Sequence, residues 1–235
     1  MFDEIGFKLP IFEMGLKGYL FGKKALDFAK AADEISKKYE VTIIFDPQFV
    51  DIPLIAKETE SILIFAQHMD FMEIGRGVGK ILPEALKEAG AIGSILNHAE
   101  HRVELNHIFN SIRRADEVGL VTLVCTDSPQ EAAAVAKLNP NIILSEPPAL
   151  IESGTSVAKV LKNFIYEAIK NVKEINPKII IGSGAGVKDA DDIKEIISMG
   201  VELTGSTSAI LKSADPIKTL EEMVDSMKKA WLKLH

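Results

Sequence analysis

Short β-branched runs alternate with longer stretches of helical period from one end of the chain to the other, and no composition shift interrupts them. The apolar runs are Ile11–Leu16, Val41–Phe45, Ile62–Ala66, Ile92–Leu96, Leu120–Cys125, Ile142–Leu144, Ile179–Ile181 and Val201–Thr204. Between them Gly22–Tyr39, Pro83–Ala89, Val103–Val118, Pro129–Leu138, Ala158–Ile175, Ala190–Met199 and Pro216–Leu232 repeat apolar residues at three and four, as amphipathic helices do. In the first of these helices Leu26, Ala29, Ile35 and Tyr39 are expected to form the buried stripe. Eight βα units in 235 residues leave roughly 29 residues each, enough for a strand, a helix and two loops. The expectation is a single α/β domain over residues 1–235, with eight parallel strands closed into a (β/α)8 barrel. An open doubly wound sheet would carry a glycine-rich dinucleotide loop after an early strand, and none is there.

Composition narrows the function classes. The formal net charge is −7 and no lysine or arginine block occurs, which disfavours a nucleic-acid surface or a basic membrane-binding patch. No run of about 18 apolar residues suggests a membrane span. The single cysteine, Cys125, excludes an intramolecular disulfide framework, and its apolar surroundings predict burial. Met1–Pro10 mixes Asp3, Glu4 and Lys8 with apolar residues and lacks the pattern of a signal peptide, so the expected compartment is the cytoplasm.

In a closed βα barrel the reactive residues stand where strands run into βα loops. Those positions hold Lys17 after strand one, Asn97-His98-Ala99-Glu100-His101-Arg102 after strand four, Glu146-Pro147-Pro148 after strand six, and Gly182-Ser183-Gly184-Ala185-Gly186 after strand seven. A glycine run alone is often a tight turn. At this place in a barrel its backbone N–H groups can hold an oxyanion without net positive charge on the protein. Lysine, histidine, glutamate and an anion loop on one rim suit proton transfer beside the carbonyl of a phosphorylated substrate, with no metal or other cofactor required.

The order and spacing of several segments resemble triosephosphate isomerase, most closely its short archaeal form, over nearly the whole chain. They are Leu16-Lys17-Gly18-Tyr19, Ala66-Gln67-His68-Met69-Asp70, Leu82-Pro83-Glu84-Ala85, Leu96–Arg102, Ser145–Ile151, Gly184-Ala185-Gly186 and Lys212–Pro216. The resemblance implies a TIM barrel that interconverts glyceraldehyde 3-phosphate and dihydroxyacetone phosphate through an enediolate. Glu146 would shuttle the proton, His98 would be the neutral electrophile, and Lys17 would stabilise enediolate and phosphate charge. Glu100 and Arg102 would support the histidine and the lysine; Gly184, Ala185, Gly186 and Ser208 would hold the phosphate. Residues 147–158 would form a lid with a stiff proline entry. His68 is expected to be structural. A homo-oligomer, dimer or tetramer, would assemble through the loop after strand three.

Several positions depart from the family. Gly15 stands where the family has asparagine, Val78 where it has a threonine that crosses the subunit interface, and Ala99 where it has serine. Glu152 replaces a glycine of the lid and would face the phosphate, and Thr207-Ser208-Ala209 ends without the usual glycine. These changes leave open an isomerase of another sugar phosphate, or a barrel that binds without catalysing.

Overall fold

The structure, a computed structural model, describes residues 7–151 and 153–235. The reading of the first six residues and the orientation of Glu152 fall outside them. Eight parallel strands form one closed barrel in sequence order. They are β1 (Ile11–Gly15), β2 (Thr42–Asp46), β3 (Leu63–Ala66), β4 (Gly93–Leu96), β5 (Val121–Thr126), β6 (Ile142–Ser145), β7 (Ile180–Gly182) and β8 (Leu203–Gly205). All eight apolar runs become strands, with most of the starts one or two residues later than the run.

Strand alternation sorts side chains into two cores. Ile11, Ile44, Phe65, Ile95, Leu123, Leu144, Ile180 and Leu203 point into the barrel and fill it. Phe12, Met14, Ile43, Phe45, Val124, Ile143 and Ile181 point outwards against the helices. The barrel is therefore a packed core whose usable space lies at its rim.

The helices are α1 (Gly22–Tyr39), α2 (Ile52–Glu58), α3 (Pro83–Glu88), α4 (Leu105–Val118), α5 (Pro129–Ala136), α6 (Val157–Val160), α7 (Lys162–Ile175), α8 (Ala190–Ser198), α9 (Ser208–Leu211) and α10 (Pro216–Leu234). Three starts follow local rules, since Ser128, Asp189 and Asp215 each accept a hydrogen bond from the amide three residues on. The long run Ala158–Ile175 is two helices, broken at Leu161 (φ −134°, ψ 49°). Helix α2 is too short for periodicity to reveal. In α1 the buried face is Ala25, Phe28, Ala29, Ala32, Ile35 and Ser36, while Leu26 and Tyr39 sit at its margin. The stripe is thus rotated from the expected one, because small alanines let the helix lie close to the strands.

Candidate active site

Lys17, His98 and Glu146 line one cavity of about 650 Å³ at the carboxyl end of the barrel, together with Gly184, Ala185, Gly186 and Ser208. Each side chain is aimed by its own strand end. Glu146 follows β6, and its amide donates to Thr126 O at 2.8 Å, which continues the β5–β6 ladder by one residue. Burial pushes its carboxyl up to about 8, the negative charge of Glu13 adds to that effect, and Lys17 opposes it.

His98 follows β4, and its Nδ1 accepts from the Glu100 amide at 3.1 Å. That bond leaves Nε2 as the protonated nitrogen of a neutral ring. Burial, helped by the charge of Lys17, holds its pKa below the ordinary value. The turn that presents it is strained, since Asn97 has φ +61°. Asn97 is held there by its own side chain, which donates to Cys125 O at 2.9 Å and accepts from the Val103 amide at 3.2 Å.

Lys17 also has a left-handed backbone, φ +48°. Its carbonyl accepts from Gln48 Nε2 at 2.6 Å and from Gln67 Nε2 at 3.0 Å, so two side chains hold this costly peptide in place. The ammonium group donates to Glu100 Oε1 at 2.5 Å. Glu100 thus contacts both the histidine, through its amide, and the lysine, through its carboxylate. Arg102 does not approach the lysine; its guanidinium holds Asp127, Glu131 and the carbonyl of Asn97. Its support reaches His98 through that strained turn.

The glycine run and the lid are packed on each other. Gly186 has φ +74°, and a β-carbon built on it would lie 2.0 Å from Thr155 O and 3.0 Å from Leu150 O. The amide of Val157 donates to Ala185 O at 3.0 Å. Pro147 and the 3₁₀ turn Pro148–Leu150 form the lid's other end. No hydrogen bond among the described residues uses the amide of Gly184, Ala185 or Gly186. Ser208 opens α9 beside them, and Lys188 and Lys212 add positive charge to this side of the cavity.

Two acidic residues of the cavity escape a motif-based reading. Glu13 lies in the middle of β1 and Asp46 at the end of β2; both face the cavity, and their side chains are hydrogen-bonded to each other. Burial, with Glu13 beside it, pushes Asp46 well above the ordinary carboxylate range. A β-carbon on Gly15 would lie 2.9 Å from both Glu13 Oε1 and Asp46 Oδ2. An asparagine there would require both carboxyl ends to shift. Glu13 could have been found from parity, since it shares the inward phase of Ile11, where an acid is out of place.

Other residues singled out in the sequence lie around this centre. His68 is buried, with its ring 4.3 Å from that of His101 and 5.3 Å from that of His107. His68, Asp70 and His107 place metal-type ligand atoms near one another, but the Asp70 carboxylate already accepts from Lys80 Nζ and the Ile81 amide. Cys125 is buried, and burial raises its thiol pKa well above the usual value. Val78, in the altered loop, is fully exposed, and Ile74 nearly so. Among the described residues no helix is long and apolar enough to cross a membrane.

The family model for triosephosphate isomerase matches residues 14–224. The triosephosphate isomerase of Methanobacterium bryantii is 39% identical over 220 residues, which are 93% of this chain and 97% of that one. That of Sulfolobus acidocaldarius is 36% identical over 225 residues, 95% of this chain and 97% of that one. In fold the chain is similar to the crystal structure of triosephosphate isomerase from Bartonella henselae, with a TM-score of 0.72 at 19% identity, over 92% of this chain and 98% of that one.

Proposed function

The chain belongs to the triosephosphate isomerase family, and we propose that its Lys17, His98 and Glu146 interconvert glyceraldehyde 3-phosphate and dihydroxyacetone phosphate. The observation that carries this reading is that these three side chains and the Gly184-Ala185-Gly186 loop share one cavity.

The amides of that loop and the N-terminus of α9 at Ser208 bind the phosphate. The Glu146 carboxylate removes a proton from the carbon beside the carbonyl. The Nε2–H of His98 hydrogen-bonds the carbonyl oxygen, and the Lys17 ammonium group stabilises the enediolate that forms. Glu146 then returns the proton to the neighbouring carbon, the electron pair of the carbon–carbon double bond forming the new C–H bond, while the hydroxyl proton passes from one oxygen to the other beside His98, so that carbonyl and hydroxyl exchange places. Closure of the lid keeps water from the enediolate. No redox cofactor takes part, because the hydrogen moves as a proton between adjacent carbons. The departures Ala99 and Gly15 remove no group from this sequence of steps.

A coupled assay of purified protein with each triose phosphate tests the reading; turnover no faster than buffer overturns it. Assembly through the loop after β3 belongs to the same proposal, supported by the exposed Ile74 and Val78. Light scattering should find a homodimer or tetramer, and Val78→Glu should weaken it. A cytoplasmic location fits the family's chemistry on a small diffusible sugar phosphate.

A further inference from the structure

The proton transfer just described uses one carboxylate, yet Glu13 also faces the cavity. It projects from mid-strand into a position that other strands fill with isoleucine or leucine. Asp46 stands behind it, 1% exposed and hydrogen-bonded to it. The second oxygen of Asp46, Oδ1, is buried and has no partner among the described residues. Gly15 makes the room for both, with Thr207 Oγ1 as the next neighbour, 3.4 Å from where a β-carbon would be. The pair is built into the wall, and Asp46 fixes one side of Glu13.

A carboxylate can accept about four hydrogen bonds, so the one shared with Asp46 leaves Glu13 with acceptor capacity. A bound triose phosphate commits its two reacting oxygens to Lys17 and His98 and its phosphate to the glycine loop. Its single hydroxyl is one of those reacting oxygens and keeps its proton for the oxygen beside it, so no further hydroxyl is left for Glu13, and closing the cavity over an unsatisfied carboxylate is costly. A substrate with one more carbon and its hydroxyl group supplies that donor. Sites built to pair with a hydroxyl discriminate strongly against ligands that lack it, which makes such a contact a specificity device.

We propose that Glu13, positioned by Asp46, is a hydroxyl-binding subsite through which this cavity also accepts four-carbon sugar phosphates. The proposal rests on the isomerase reading of the site. The test compares kcat/KM for D-glyceraldehyde 3-phosphate and D-erythrose 4-phosphate, followed by NMR, in wild type, Glu13→Gln and Glu13→Ala. The wild type should turn over both compounds. The four-carbon to three-carbon ratio should fall at least tenfold in Glu13→Ala and by less in Glu13→Gln, which keeps one acceptor oxygen. Circular dichroism establishes that each variant is folded, and Glu13→Gln decides alone if the alanine variant is not.

Failure of the proposal and failure of the isomerase reading give different results. If wild type converts the triose but neither converts nor binds the tetrose, or if the ratio moves less than threefold in a folded variant, the subsite is overturned and the isomerase stands. If neither compound is converted, calorimetry with erythronohydroxamate 4-phosphate and phosphoglycolohydroxamate decides. A wild-type preference for the longer analogue that is lost in the Glu13 variants supports the subsite, and equal weakening of both overturns it.

Discussion

The high pKa of Glu146 fixes how the rate should depend on pH. The group is half-buried at the cavity wall, and desolvation together with the charge of Glu13 pushes its carboxyl up to about 8. The base must be ionised to accept a proton. With a midpoint near 8, roughly one-tenth of the enzyme is competent at pH 7 and roughly nine-tenths at pH 9. Because kcat/KM reports the free enzyme, it should rise about tenfold across that interval, whereas a base of ordinary acidity would give a flat profile there. Substrate phosphate titrates near pH 6 and His98 below its ordinary value, so neither changes charge in this window. The assay is kcat/KM for glyceraldehyde 3-phosphate from pH 6 to 9.5 at constant ionic strength. Glu13→Gln supplies the internal check, since removing that charge should move the midpoint to lower pH. A wild-type profile flat above pH 6.5, or a midpoint indifferent to Glu13→Gln, would refute the argument that burial and Glu13 together set this group.

Other perturbations follow from the same geometry. Glu146→Gln should lower kcat by about 10²–10⁴-fold, the usual worth of a positioned base, with the fold retained by circular dichroism. A carboxyl raised by folding stabilises below its unfolded pKa and loses that contribution as pH climbs through about 8. The same variant should therefore gain stability relative to wild type between pH 5 and 8, by on the order of a few kcal/mol in urea titrations; an unchanged difference would contradict the burial argument. Gly186→Ala places a methyl group against Thr155 O at a positive φ; it should cost at least 1 kcal/mol and cut kcat/KM sharply, and wild-type kinetics would show that lid and loop are not packed as described. Cys125 should resist a thiol reagent in the native protein and react on unfolding; prompt native labelling would contradict its burial.

The sequence made the barrel legible because eight βα units repeat a pattern that burial enforces on every strand and helix. Its limits lie where local rules are weak. Helix α2 is shorter than two turns of periodicity, and the break at Leu161 has neither glycine nor proline to announce it. At the site, Lys17, His98 and Glu146 stand at strand ends, where position itself suggests chemistry. Glu13 sits inside a strand, and its meaning depends on Asp46 in the neighbouring strand, a pairing that only the closed sheet creates. Gly15 illustrates the difference. As a letter it reads as a lost amide, while in space it borders two carboxyl groups, each 2.9 Å from where a β-carbon would be. Gln48 and Gln67 were likewise invisible, because their task is to hold a carbonyl whose strain appears only once Lys17 is seen at positive φ.

The contact between Gly186 and the carbonyls of Leu150 and Thr155 makes the flap over the cavity an asymmetric door. Its downstream jamb is bolted to the anion loop by the Val157–Ala185 bond, and its upstream leaf swings from a pair of prolines. If residues 147–158 close over the cavity as proposed, substitutions near Pro147 should change the rate of product release while leaving the chemical step at Glu146 as it was.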